Sequence, residues 1–213
     1  MEFTMKVLII TILSFIGILI ILSLTIFKDW IKATFYIDHM EREERLVRMH
    51  IDRIIEKLDI NPDQKISDIG AGSGLFSRKI AMKTAPNGIV YAIDINKHLL
   101  DHINKINKEE GIANIKTVLA KENDPQIPEL VDLIYICDTL HYIEEQENYV
   151  KTMSAYLKNG GRIAVVDFKM NWPPLSIKFT QEDLTKWMNA AGLKLIKNYD
   201  FIEDEYLMIF KKE

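Results

Sequence analysis

Lys65 to Lys83 reads KISDIGAGSGLFSRKIAMK, and this stretch decides the fold. Lys65 to Ile69 has the short apolar pattern of a strand, and Leu75 to Lys83 has helical periodicity. Asp68 to Gly74, DIGAGSG, lies across the join. Gly70, Gly72 and Gly74 let the turn fold tightly and let a ligand approach the backbone closely. The helix N-terminus that follows offers free N–H groups to a carboxylate or phosphate. A dinucleotide loop needs G-x-G-x-x-G, and counting from Gly70 its third glycine falls on Leu75, so a nicotinamide-dependent reductase fits poorly. Asp68 stands two residues before the first glycine, where a carboxylate suits an ammonium group and not a pyrophosphate. The plain alternative is a purely structural glycine-rich turn.

Working outward, Ile89 to Asp94 reads as the next strand and ends on an acid about 20 residues past the loop, placed to accept hydrogen bonds from the two hydroxyls of a ribose. A helix N-cap is the competing reading of Asp94. A helix follows from about Lys97 to Glu110, then strands at Ile115 to Leu119, Val131 to Cys137 and Arg162 to Phe168, with a helix over roughly Glu145 to Leu157. A helix from Gln181 to Ala191 stops at Gly192, and Leu193 to Tyr199 and Tyr206 to Lys211 close the chain as strands. Strands alternating with helices indicate an α/β fold with a parallel, doubly wound sheet.

DIGAGSG, VYAIDI (Val90 to Ile95), VDLIYICDTLHYIE (Val131 to Glu144) and LKNGGRIAVVDF (Leu157 to Phe168) resemble the class I S-adenosylmethionine-dependent methyltransferases in order and spacing. The likeness runs from about Lys65 to the C-terminus and is nearest to the small-molecule branch that holds the ubiquinone/menaquinone methyltransferases. It implies a Rossmann-like seven-stranded sheet with helices on both faces, a last strand running antiparallel, and S-adenosyl-L-methionine as cofactor. Carried over by position, Asp68, Gly70, Ala71, Gly72, Ser73 and Gly74 would hold the methionine part, Asp94 the ribose, and Ile95 the adenine face. Where the family often has Gly-Asp after the third strand, this chain reads Ala120-Lys121-Glu122, leaving Glu122 as the nearest acid for the adenine amino group. Cys137 and Asp138 would sit at the mouth of the site, Cys137 being equally readable as a small buried residue.

Methyl transfer to a hydroxyl, phenol or enolisable carbon needs a proton removed. His141, just past the central strand, is the candidate base by type and position, with Asp138 and Tyr142 as alternatives on the same loop. Asp167 and Lys169 are weaker ones, and a histidine packed on the next helix is the bland reading of His141. An amine or thiolate acceptor would need no base. Asn171 to Pro174 reads as a rigid, partly apolar loop beside the acceptor pocket.

Near the N-terminus, Val7 to Phe27 is 21 residues without a charge, long enough to cross the hydrocarbon core of a bilayer. A cleaved signal would carry a shorter apolar run and a small-residue cleavage site, which Lys28, Asp29 and Trp30 do not supply. Lys6 precedes the run, whereas Lys28, Lys32, Arg42, Arg45 and Arg48 follow it, so the positive-inside rule puts the bulk of the chain in the cytoplasm. The expected organisation is a membrane anchor at 1–29, a juxtamembrane helical linker at 30–62 and the cofactor-binding domain at 63–213. In the linker a helix is expected from Phe35 to about Leu58, with Ile37, Met40, Val47, Ile51, Ile54 and Leu58 on its apolar face and the charges of Glu41 to Arg45 in solvent.

Composition narrows the partners. With 27 Lys and Arg against 31 Asp and Glu, there is no basic excess to bind nucleic acid. One cysteine excludes a disulfide framework and a cysteine-based zinc site, and the five histidines lack metal-binding spacing, so no metal is expected. The reading that unites these features is methyl transfer to a small or lipophilic acceptor at the cytoplasmic membrane face. A non-catalytic cofactor-binding membrane module and a protein methyltransferase are the alternatives.

Overall fold

The computed structural model describes residues 14–18, 31, 34–169 and 179–213. The expected span Val7 to Phe27 lies outside them apart from the helical residues 14–18, as do Lys6, Lys28 and Lys32 that orient it and the Asn171 to Pro174 loop. Among the described residues no helix is long and apolar enough to cross a membrane.

Seven strands make one sheet: β1 (Lys65–Ile69), β2 (Ile89–Asp94), β3 (Ile115–Leu119), β4 (Val131–Cys137), β5 (Leu157–Phe168), β6 (Leu193–Tyr199) and β7 (Glu205–Lys212). Their spatial order is β3-β2-β1-β4-β5-β7-β6. Neighbours from β3 through β5 pair in parallel, while β7 runs antiparallel to both β5 and β6. The Rossmann-like α/β sheet with its reversed last strand is therefore as expected. The order turns back between β1 and β4, and in open α/β sheets ligands bind at the carboxyl ends of the strands at such a point. DIGAGSG follows one of those strands and Asp138 follows the other.

Among the described residues, the helices that pack with the strands include α1 (Glu43–Arg48), α2 (Ile51–Lys57), α3 (Leu75–Thr84), α4 (Lys97–Glu110), α5 (Gln146–Ala155) and α6 (Gln181–Ala190). The sheet buries both faces, so its central strands are nearly continuous apolar runs. Ile66, Leu133, Tyr135, Ala164 and Leu207 share one core with Ile51, Ile54, Ile55 and Leu58 around α2 and with Phe76 and Ile80 of α3. Ile134, Ile136, Ile163, Val165 and Phe210 face the other way, onto Tyr149, Val150 and Met153 of α5 and Leu184 and Met188 of α6. The opposite facing of Tyr135 and Ile136 is the two-residue alternation of a strand.

The single helix expected over Phe35 to Leu58 is three pieces. Residues 34–41 are helical, Arg42 is extended at φ −62° and ψ 134°, and His50 is left-handed at φ 51° between α1 and α2. These breaks shift the helical phase, so Val47 is 66% exposed and Met49 takes the core position at 0%. Strand β5 also starts earlier than expected, at Leu157, because Leu157 already pairs with Val131 of β4, and the register shifts across the Asn159-Gly160-Gly161 segment before pairing resumes at Arg162 with Leu133.

Ile54 lies wholly inside the core, so Ile54→Ala should cost about 2–5 kcal/mol of unfolding free energy. Chemical denaturation of the full chain measures this, and a loss under about 0.5 kcal/mol would place α2 outside the cooperative unit.

Candidate active site

The glycine-rich loop is clasped to β2. The N–H groups of Gly70 and Ala71 both donate to Ile93 O, at 2.8 and 2.9 Å, and Gly72 N–H donates to Asp94 Oδ2 at 3.0 Å. Asp94 Oδ1 accepts from Asn96 N–H at 2.8 Å, while Asn96 caps α4 by accepting from His98 N–H. Asp94 is thus no helix cap; its carboxylate ties together the turns after β1 and β2. Burial raises its pKa and these backbone N–H groups pull it back. Each carboxylate oxygen keeps a further acceptor position for a ligand hydroxyl.

Gly70 and Gly72 have φ of 73° and 57°, the left-handed region. A Cβ on Gly70 would come within 2.0 Å of Thr139 Oγ1, and one on Gly72 within 2.5 Å of Met40 Sδ. The loop is therefore pressed between the segment after β4 and residues 34–41. Gly74 gives α3 no side-chain cap, so the helix start retains N–H groups for a ligand carboxylate. Ser73 is buried and its carbonyl accepts from Arg78 Nη1, while Arg78 Nη2 donates to Glu41 at 2.6 Å.

Asp68 does not reach into open space. It is 2% exposed and accepts from Ser77 Oγ at 2.5 Å. Burial pushes its carboxyl up to about 7, with Asp94 adding to the rise and Ser77 opposing it. Ile95 and Glu122 meet at a cleft of about 560 Å³, which Ala120, Lys121 and Asn123 complete. That volume and the exposed Ile95 face suit a flat, partly polar group such as an adenine. Loop, carboxylate, uncapped helix start and cleft together fit S-adenosylmethionine.

The carboxyl ends of β4 and β5 carry a second group of side chains. His141 Nδ1 lies 2.7 Å from Asp167 Oδ1, with the two side chains 4% and 0% exposed. Tyr142 and Phe168 pack on the imidazole at ring-centre distances of 4.1 and 5.4 Å. Asp138 sits in the left-handed region at φ 48° and pairs through Oδ2 with Arg45 at 2.8 Å. Burial raises its carboxyl against the pull of Arg45. Cys137 is buried, and burial with the nearby Asp138 and Glu205 charges keeps its thiol protonated.

Several of these partners escape a reading of the sequence. Arg45 belongs to a charged run that reads as solvated surface, yet its side chain is 13% exposed and bonded to Asp138. The i, i+3 spacing of Arg45 and Arg48 is the available clue to their shared inward face. Asp167 reads as a weak base and proves to be the partner of His141. Glu205, fully buried at the start of β7, carries no local signal.

A family model described as "Methyltransferase domain" matches residues 60–211. The ubiquinone/menaquinone biosynthesis C-methyltransferase UbiE of Ectopseudomonas mendocina is 31% identical over 146 residues, covering 68% of this chain and 57% of that protein. The UbiE of Burkholderia cenocepacia is 23% identical over 156 residues, covering 72% and 64%. The chain thus spans about half to two-thirds of the length of the curated relatives it matches. Among solved structures, a SAM dependent methyltransferase from Aquifex aeolicus aligns with a TM-score of 0.74 at 18% identity, over 83% of this chain and 97% of that one. The [4+2]-cyclase SpnF aligns at 0.66 and 13%, over 78% and 80%, so the likeness to structures carries the fold alone.

Asp68 supplies a pH test. Its folded pKa lies above its unfolded one, so the folded chain holds a proton that the unfolded chain has released, and stability falls as pH rises between about 4 and 7. Asp68→Asn should therefore raise the melting temperature more at about pH 8 than at about pH 5. A pH-independent difference between variant and parent would mean that Asp68 is ionised throughout.

Proposed function

The chain belongs to the methyltransferase domain family, and on that premise we propose that it transfers a methyl group from S-adenosylmethionine to a small or lipophilic acceptor whose proton His141 removes. The observation that carries this reading is the buried His141–Asp167 pair, two residues from the Thr139 that abuts the cofactor loop at Gly70. When bound, S-adenosylmethionine supplies an electrophilic sulfonium methyl, so the chain's task is alignment, exclusion of water and proton removal.

Each residue has a part in that task. Asp94 accepts from the ribose hydroxyls while it holds Gly72, so cofactor binding and loop shape depend on one carboxylate. The start of α3 and the loop N–H groups receive the methionine carboxylate, and Ile95 and Glu122 border the adenine. Asp167 accepts from His141 Nδ1–H, which fixes the tautomer and leaves Nε2 as the basic nitrogen. Asp138, engaged by Arg45, shapes the acceptor mouth and is the weaker base. Held by the loop and Asp94, S-adenosylmethionine would supply its methyl to the acceptor carbon or oxygen and leave as the neutral thioether, while His141 Nε2 would take the acceptor proton.

The relatives' printed activity, C-methylation in quinone biosynthesis, supports an enolisable ring carbon on a lipophilic acceptor. The uncharged run Val7 to Phe27 supports placing that acceptor in the membrane, with the domain on its cytoplasmic side.

Two measurements test this. Incubation of the full chain with methyl-labelled cofactor and a membrane-lipid extract should move label into an extractable product. His141→Gln should cut kcat by roughly 10²–10⁴ with unchanged cofactor affinity, and Asp167→Asn should lower kcat less and displace the acid limb of its pH profile. Transfer by His141→Gln at the parental rate would remove the base from the scheme. Calorimetry should show at least about tenfold weaker cofactor binding in Asp94→Ala, since two charge-assisted hydrogen bonds are lost. Unaltered affinity there would sink the ribose assignment.

A further inference from the structure

We propose that Cys137, Asp138 and Glu205 bind one divalent cation of the zinc class. The sheet brings Glu205 to the adjacent pair Cys137 and Asp138 although it is distant from them in sequence. Cys137 ends β4 and Asp138 follows it, while β7 begins at Glu205 on the other side of β5. Because β7 runs antiparallel, its first residue lies beside Phe168 at the carboxyl end of β5. A sulfur from Cys137 and one carboxylate oxygen each from Asp138 and Glu205 lie within 4.8 Å of one another.

Unpaired oxygens point to a missing cation. Glu205 is 0% exposed and neither of its carboxylate oxygens has a hydrogen-bond partner. Asp138 Oδ1 is likewise buried and unpartnered, as is Asp167 Oδ2 beside the cluster. Buried carboxylate oxygens without a partner are costly and rare in folded proteins. Two guanidinium groups offset part of that charge. Arg45 donates to Asp138 Oδ2 at 2.8 Å, and Arg48 Nη1 stands 3.6 Å from Glu205 Oε1 and 3.4 Å from Asp204 Oδ2. Each arginine addresses one oxygen of its carboxylate and leaves the other to a further cation.

The donor set selects the metal. With the Cys137 proton released as the metal binds, one thiolate with two carboxylates is too soft for magnesium or calcium and suits zinc or cobalt, with bonds of about 2.0–2.3 Å and a fourth position left open. Arg45 and Arg48 then act as outer partners that orient the ligating carboxylates. A lone cysteine excludes a cysteine-rich zinc site, but it does not exclude a mixed one assembled across the sheet. This proposal does not rest on methyl transfer, although Asp138 also borders the acceptor mouth.

The test uses the full chain, stripped with a chelator and titrated with Co(II) and, separately, Zn(II). The expected result is one bound equivalent, with a thiolate-to-cobalt charge-transfer band in the near ultraviolet that disappears in Cys137→Ser. Zn(II) should raise the melting temperature of the parent and not that of Glu205→Gln, which folds because its amide replaces an unpaired buried carboxylate. A parent chain without the charge-transfer band overturns the proposal, as does a Zn(II)-induced rise that persists in Glu205→Gln. S-adenosylmethionine binding by the stripped chain is read separately, so failure of the metal site leaves the methyl-transfer reading to its own experiment.

Discussion

The bond from Gly72 N–H to Asp94 Oδ2 is the constraint on which the site depends. A carboxylate acceptor makes it a charge-assisted contact, stronger than a neutral hydrogen bond and here buried from water. With Asp94 Oδ1 on Asn96 N–H, one side chain fixes the turns after β1 and β2 relative to each other. The loop's direction then sets where α3 begins and brings Gly70 against Thr139. From Thr139 the chain leads directly into the short 3-10 turn that carries His141. Cofactor loop and candidate base are thus parts of one frame, assembled from consecutive contacts at the switch point of the sheet.

The N-terminal helices complete that frame from above. Met40 covers Gly72, Glu41 holds Arg78, and Arg45 reaches Asp138, while α2 is anchored in the core below. Residues between 34 and 58 therefore belong energetically with the sheet. Function in such a fold follows from the side chains at the strand ends, and here these are an imidazole–carboxylate pair and an acidic pocket with two arginines.

Local patterns made the architecture legible. β1 to β4 are bounded by Lys65, Asp94, Leu119 and Cys137 as their apolar runs indicate, and for β1, β2 and β4 burial on both faces leaves little ambiguity of length. The loop and Asp94 were legible for the same reason: glycine spacing and a carboxylate at a strand end are short-range features. What stayed hidden depends on contacts across the fold. Nothing near Asp167 shows that it faces His141, and nothing near Glu205 shows that it lies beside Cys137. The phase error at Val47 has another origin, since a left-handed His50 is not encoded by hydrophobic periodicity.

The placement of β7 has a consequence for how the chain matures. This strand is the last of the seven in sequence, yet it sits inside the sheet, between β5 and β6. During synthesis, β5 emerges with a full edge of unpaired backbone groups, and β6 has no neighbour to join until β7 follows. The acidic end of the pocket is also incomplete until then, because Glu205 is the first residue of that strand. The cofactor loop takes its hydrogen bonds from β2, which emerges much earlier. The nascent chain thus acquires the two ends of the site in order: the glycine-rich loop with Asp94 first, and the acidic cluster only after the final strand slots in.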